Sequence, residues 1–469
     1  MNTVTEWIAA VNEPVSRFVW GPVMLVCFLA TGLWFSAGTG FFQISRFGLW
    51  MRRTILACFR DRKVTEASDS HSISQFQSLC TVLAATTGTG NIAGIAAAIT
   101  VGGPGAVFWM WLSSFLGMMT SYAENVLGIK YRYRNERGEW EGSAMVYMER
   151  GLHCRPLAMG YALFCVLASF GVGNMAQANS IAGALHTSFR IPPAVTAVAT
   201  ALLLAVVIMG GIKRIGRVTE KVVPFMSLLY IAGAMVVILS HLSALPGVLI
   251  SIFREAFRFR AGLGGIAGYG IMTAMRTGIS RGVFTNEAGL GSSVIVHAAS
   301  DVKEPAVQGM WGIFEVFVDT IVVCTLTGLA ILTSGVYDQN LYAGALGTAA
   351  FDLLPNGAAL TGNAFATVFG SFGGSFISIS ITLFAFSTLI GWSYYGEKAA
   401  VYLLGKTVSA PYQILFSVVA ALGCVAGLQL VWDLSDTFNG LMAIPNLAAL
   451  ALLNRQVFGI TRDYLKNNP

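Results

Sequence analysis

Apolar runs of roughly twenty residues, separated by short polar stretches, repeat from residue 17 almost to the end of the chain. An α-helix needs about 20 apolar residues to cross the hydrocarbon core of a bilayer. Eleven such runs can be marked, over 17–42, 75–101, 104–128, 156–187, 192–212, 219–241, 265–300, 306–334, 362–404, 411–431 and 437–455. Nothing between them has the extent of a soluble domain, so the pattern predicts one all-α polytopic bundle. The seventh and ninth runs are too long for one straight helix, and breaks or extra turns are expected there.

Composition agrees. Of 469 residues, 55% are hydrophobic and 11% charged, against about 25% charged in soluble proteins. Acidic Glu6 and Glu13 precede the first run, and no cleavable leader is expected. The seven cysteines form no C-x-x-C and the five histidines no zinc spacing. The net charge of +6 gives no reason to expect nucleic acid, because the basic residues follow topology. With residue 1 outside, 22 of the 29 Lys and Arg fall on the inner side, and only Arg17, Arg190, Arg254, Arg258 and Arg260 fall outside. That bias predicts an outer N-terminus and an inner C-terminus. The segment 242–264 reads as an amphipathic outer-surface helix, and 335–361 as a long outer connection.

Two of the runs are interrupted by residues that resist helix formation. The first interruption, TTGTGN at 86–91, sits at the centre of the second run. Each Gly costs about 1 kcal/mol relative to Ala in a helix interior. In hydrocarbon, unwound backbone is tolerated only where its polar groups meet protein, water or ligand. A half-helix starting near Gly90 would offer amides to an anion, and one ending near Thr87 would offer carbonyls to a cation. Small residues can also serve only close helix packing, but Asn91 and the threonines need polar partners. The second interruption, SRGVFTNEAGLGSS at 280–293, again joins glycines to Thr285, Asn286 and Glu287. The breaks fall five runs apart, as two inverted five-helix repeats would place them. Paired broken helices of this kind point to a transporter site at the midplane.

Other polar groups lie at membrane depth. Asp319 is flanked by apolar residues in the eighth run, where a carboxylate is expensive and marks a functional site or an ion pair, here with Arg276 or Arg281. As a cation ligand it would act beside Asn91 and Thr285, an all-oxygen set suited to a small hard ion. Ser387 and Thr388 in the ninth run either bond back to their own helix or form a second cation site with carbonyls near Ala84 and Thr87. Trp392 and Phe284 are placed to cover a small pocket. Asn174 and Gln177 in the fourth run, on a helix loosened by Gly171 and Gly173, serve either as interhelical glue or as substrate contacts. Glu124 reads as a gate or interface residue, and Arg281 as one partner of an outer closure.

The strings FQSLCTVLAATTGTGNIAGIAAAITVGGPGAVFWMW, RGVFTNEAGLGS, DTIVVCTLTGL and GWSYYGEK resemble the alanine/glycine:cation symporter family, over about residues 17–460. Thr87 stands where members of that family vary. The resemblance implies the leucine-transporter-like fold: ten core helices as a 5+5 inverted repeat, here runs two to eleven, preceded by one extra helix. It divides the chain into 1–74 (extra helix and basic inner loop), 75–241 (first repeat), 242–264 (outer segment), 265–455 (second repeat) and 456–469 (inner tail). It implies sodium-coupled, in some members proton-coupled, uptake of alanine, glycine or D-alanine, with glutamine for some. It assigns a sodium-liganding side chain to Asn91, a substrate-contacting aromatic to Phe284, and sodium-coordinating hydroxyls to Thr285, Ser387 and Thr388.

The expected protein is therefore a monomeric multi-pass symporter of a bacterial inner membrane and not an enzyme. A small amino acid would be bound by Gly88, Thr89, Gly90, Asn91, Gln177, Phe284, Thr388 and Trp392. Sodium would be held by Ala84, Thr87, Asn91, Thr285, Asp319, Ser387 and Thr388. A channel or receptor on this fold would need a continuous polar lining, and an intramembrane enzyme a catalytic motif. The chain has neither: GTGN is not followed by GK[ST], so it is no phosphate loop.

Overall fold

The computed structural model describes residues 2–67, 69, 71–136, 138–258, 269–426 and 429–468. The end of the 242–264 segment with Arg260, the first residues of the seventh run and Arg137 lie outside the described residues. Among the described residues, the regular structure is helical apart from a two-stranded hairpin, Tyr133–Arg134 paired with Trp140–Glu141, and an isolated bridge between Ile73 and Ser300.

The first run comprises α1 (Asn2–Val19) and α2 (Pro22–Gly38), which together are long and apolar enough to span a membrane. The second is a bent pair, α3 (Gln75–Thr86) and α4 (Gly90–Gly102), meeting at 53°. A capping box starts α3: the Ser74 hydroxyl accepts from the Gln77 amide, and the Gln77 side chain accepts from the Ser74 amide. Next come α5 (Gly105–Tyr131), α6 (Arg155–Phe189), α7 (Pro193–Ile208) and α8 (Gly211–Ser240). Within α6, residues Gly171–Met175, the stretch that Gly171 and Gly173 were expected to loosen, form a π turn. The 242–264 segment contains a short helix, α9 (Leu245–Ala256). The seventh run opens as α10 (Tyr269–Asn286) and breaks over 287–293. The eighth is α11 (Pro305–Thr333), with a π-helical stretch over Phe317–Cys324 that carries Asp319.

The ninth run breaks, as its length led one to expect, into two helices, α12 (Gly357–Phe369) and α13 (Phe372–Leu404), which turn at left-handed Gly370 and pack on each other. Two boundaries differ from expectation. The 335–361 connection is largely helical, with Gln339–Ala345 and Ala349–Asp352 before α12. After α14 (Ser409–Val425), the last helix α15 (Gln429–Asn467) continues beyond 455, because the polar residues after that point still follow a helical face. Tyr464 lies on its buried side.

Among the described residues, seven helices are long and apolar enough to cross a membrane, or eight with the bent pair. Their outward surfaces are apolar: on α8, Phe225, Leu228 and Leu239 are all exposed. A surface of this kind suits lipid rather than water. Inside the bundle α5 packs against α10 and α11, and α13 against α3, α6 and α12, which brings both breaks to the centre.

Candidate functional site

At the first break the helix stops because its next amide is diverted. The Gly88 N–H, which a continuing helix would give to the Ala84 carbonyl, is donated to Asn91 Oδ1 at 2.9 Å. The Asn91 N–H closes the turn on the Gly88 carbonyl at 3.2 Å. Ala84 thus loses its helical partner at a buried position. Two of the four amides expected to meet a substrate carboxylate, those of Gly88 and Asn91, are satisfied within the turn. The amides of Thr89 and Gly90 begin the new helix, where a helix start leaves donors without an intrahelical acceptor.

Asn91 ties this break to the eighth run. Its Nδ2 donates to Asp319 Oδ1 at 2.7 Å and to the Asp319 carbonyl at 3.2 Å. Thr320 donates its hydroxyl to Asp319 Oδ2 at 2.9 Å, and the hydroxyls of Thr87 and Thr285 also face this carboxylate. Asp319 is fully buried, and its partners are amide and hydroxyl groups rather than Arg276 or Arg281. The π turn after Thr89 frees further carbonyls, and neighbours cap them: Thr327 donates to the Asn91 carbonyl at 2.7 Å and Thr361 to that of Ile92 at 3.1 Å.

The second break is built differently. Glu287, Gly289 and Gly291 have φ of 56°, 97° and 72°, the left-handed region that glycine enters without steric cost. The amides that would continue α10 go elsewhere. Ala288 N–H goes to Asn286 Oδ1 at 3.0 Å, Gly289 N–H to Glu124 Oε1 at 3.0 Å, and Leu290 N–H to the Glu287 carbonyl at 3.0 Å. This releases the carbonyls of Phe284, Thr285 and Asn286 from the helical ladder. Glu124 Oε1 also accepts from Gly291 N–H at 3.1 Å and from Asn446 Nδ2 at 2.6 Å. Glu124 therefore anchors the break, a role more specific than the gate or interface expected of it.

Around the two breaks, the structure brings together most of the expected residues. Gly90 lies against Thr285 and the Phe284 ring. The Thr89 hydroxyl donates to Gln177 Oε1 at 3.1 Å, while Gln177 Nε2 donates to the Val172 carbonyl at 3.1 Å. A Cβ at Gly88 would stand 2.6 Å from Thr388 Oγ1, so any larger residue there would force Thr388 to shift. Ser387 and Thr388 both bond back to the Phe384 carbonyl, at 2.7 and 3.1 Å. Thr388 thereby faces the first break; for Ser387 the back bond is the observed contact. Trp392 is a fixed element rather than a free cover: its Nε1 donates to Glu287 Oε1 at 2.9 Å, and its ring packs on Gly173. Asn174 is glue, giving Nδ2 to the Phe416 carbonyl at 2.7 Å. Arg281 lies over the Phe284 ring at 5.4 Å and faces Asp436.

Four residues at this centre were not singled out as ligands by sequence: Glu287 as a partner of Trp392, Thr320, Cys324 and Asn446. Cys324 Sγ receives Asn91 Nδ2 at 3.2 Å. Glu287 could have been found by the rule that exposed Asp319, a carboxylate at membrane depth. Asn446 had no such signal.

Comparison with known proteins identifies the family. The model of the sodium:alanine symporter family matches residues 1–469. The sodium/alanine symporter AgcS of Methanococcus maripaludis is 42% identical over 98% of this chain and 97% of its own. An uncharacterized transporter of Haemophilus influenzae is 40% identical over 98% and 96%. GlnT of Bacillus subtilis, named a probable sodium/glutamine symporter, is 35% identical over 99% and 92%. Among solved structures, MhsT in complex with L-phenylalanine superposes with a TM-score of 0.55 at 14% identity, over 84% of this chain and 99% of that one. At that identity the likeness shows the fold alone, and that fold is leucine-transporter-like. With the family model matched from end to end, this multi-pass membrane protein belongs to the sodium:alanine symporter family.

Proposed function

We propose that the protein couples sodium entry to uptake of alanine or glycine, with D-alanine as a further candidate, by alternating access in a bacterial inner membrane. The observation that carries this reading is the Asn91–Asp319 bond, which joins the first break to a buried carboxylate beside Thr285 of the broken seventh run. Sodium would bind Asp319 with the oxygens of Asn91, Thr285 and Thr87. The Ala84 carbonyl, Ser387 and Thr388 would supply a second position. The substrate carboxylate would meet the amides of Thr89 and Gly90 and the bound cation. Its ammonium would face the released carbonyls of 284–286, with Gln177, Thr388, Phe284 and Trp392 bounding its side chain. The tight approach of Thr388 to Gly88, and the tethering of Trp392, favour a small side chain over glutamine.

The layout proposed is eleven spans as a 5+5 inverted repeat after one extra helix, acting as a monomer with the N-terminus outside and the C-terminus inside. Repeats at 75–241 and 265–455 account for the five-run spacing of the breaks, with 1–74, 242–264 and 456–469 as flanking and connecting pieces. Cation binding fixes the unwound segments and so raises substrate affinity, a coupling that is reciprocal by linkage. One sodium ion entering down 100 mV supplies about 2.3 kcal/mol, roughly fifty-fold accumulation. The test is counterflow of labelled alanine in proteoliposomes with sodium replaced by potassium at fixed pH. Sodium-dependent, saturable counterflow is expected. Flux that does not saturate, or that persists in potassium, removes the reading.

A further inference from the structure

Four carboxyl groups are buried in the centre of the bundle: Glu124, Glu287, Glu315 and Asp319. None of the hydrogen bonds described above for Glu124, Glu287 and Asp319 comes from Lys or Arg. Those three have amide, hydroxyl or indole donors. Glu315 serves neither break, and its one described partner is His297, whose Nε2 lies 3.0 Å from Glu315 Oε2. Both side chains are fully buried.

The surrounding bonds set the proton positions. Gln308 takes the Ser300 hydroxyl on its oxygen at 3.1 Å and turns its amide onto His297 Nδ1 at 2.5 Å. The Ser78 hydroxyl lies 3.2 Å from the same nitrogen. With Nδ1 receiving donors, the imidazole carries its hydrogen on Nε2 and donates it to Glu315. A second imidazole proton would displace the Gln308 amide. The other carboxyl oxygen, Glu315 Oε1, is buried with no hydrogen-bond partner. An ionised carboxylate left that way in an apolar interior is costly, and a proton on Oε1 removes the charge. The titratable groups facing Glu315 are His297 from the seventh run, Glu287 from the second break, Glu124 of α5, Asp319 on its own helix and Tyr395 of α13, whose hydroxyl is also buried without a partner. From the short helix Phe47–Arg53 the group presented to this helix is an aromatic one, Trp50 against Phe314. Acids thus dominate the surroundings.

The pair sits beside one end of the bundle that is tied shut. Ile73 N–H donates to the Ala299 carbonyl at 3.2 Å, and Asp301 N–H to the Ile73 carbonyl at 3.0 Å. Arg132 gives its guanidinium to the carbonyls of Ala298, Ser300 and Val302. Ser78, His297 and Glu315 come from three separate elements, so parting that end would pull the network apart and admit water.

We propose that Glu315 and His297 form a proton-binding site that holds one proton on Glu315 while this end is closed and releases it when the end opens. The assignment of that end to cytoplasmic release rests on the transport reading above. A group protonated in the closed state and ionised in the open one makes opening easier as pH rises. Sodium-driven alanine uptake into proteoliposomes, with internal pH set between acid and mildly alkaline values, should therefore rise with internal pH. Glu315→Gln, which mimics the protonated carboxyl, should keep sodium-dependent counterflow but transport at the acid-limit rate at every pH. Glu315→Asp should restore the rise. A Glu315→Gln protein with the wild-type pH profile overturns the proposal. So does a wild-type rate independent of internal pH. If Glu315→Gln does not fold, His297→Gln decides: a shifted midpoint supports the site, and an unshifted one overturns it. Loss of sodium-dependent counterflow in the wild type would fail the transport reading instead, and is scored separately.

Discussion

The two breaks solve one problem, helix interruption inside a bilayer, by opposite means. The first is three residues long, contains no left-handed residue among Thr87, Gly88 and Thr89, and is closed by its own Asn91. The second runs through seven residues with three left-handed positions and is held from outside by Glu124 of α5. A turn closed by one side chain can reopen when that side chain finds another partner, and Asn91 already divides its amide between Gly88 and Asp319. A loop whose amides converge on a buried carboxylate is fixed unless the neighbouring helix moves too. On the proposed reading, this difference leaves the ion and substrate response to the first break and makes the second a platform that presents carbonyls.

The sharpest way to break this contrast is at the first site. Asp319→Ala should weaken sodium-dependent uptake by about a hundredfold or more, about 3 kcal/mol at 1.4 kcal/mol per decade, with folded protein still in the membrane. Asn91→Ala should do the same, and undiminished uptake by either variant would remove that residue from the site.

At the second break the expected loss is stability. Glu124→Ala leaves the Gly289 and Gly291 amides without their acceptor and Asn446 with only its bond to the Gly289 carbonyl, at about 1–3 kcal/mol per unsatisfied group. Detergent-solubilised Glu124→Ala should melt well below wild type, and Glu124→Gln, which keeps an acceptor oxygen, should melt between them. Equal melting would show that the break is not held by this carboxylate.

A smaller effect sharpens the account of the first break. Thr89→Val removes the bond to Gln177, worth about 1 kcal/mol between membrane helices, and should raise the alanine KM about fivefold without shifting the sodium half-saturation. The smallest concerns Ser387, whose observed contact is with its own helix. Ser387→Ala should raise the half-saturating sodium concentration no more than about threefold, the scale of a weak hydroxyl ligand. An unchanged value would leave Thr388 alone as that helix's contribution.

Much of this was legible in the chain. Both breaks lie where Gly, Thr and Asn interrupt apolar runs, because helix propensity and the ban on bare backbone in lipid are local rules. The π turn at Gly171–Met175 follows from the same local weakness. The turn at Gly370 within the ninth run was not placed, since apolar residues continue on both sides of it and hydropathy carries no mark of direction. Nor did α15 end where hydropathy falls, because the helix outlasts its apolar stretch.

What the sequence determined by itself is the class of the molecule, the location of its interruptions and the presence of carboxylates where lipid forbids idle charge. These depend on residue type and spacing along one chain. Which carboxylate serves which purpose was decided only in three dimensions. Glu124, Glu287, Glu315 and Asp319 look alike as acids in apolar runs, yet one anchors a loop, one holds an indole, one meets a histidine and one meets Asn91. A carboxylate's role is set by the donors that reach it, and those come from helices distant in the sequence.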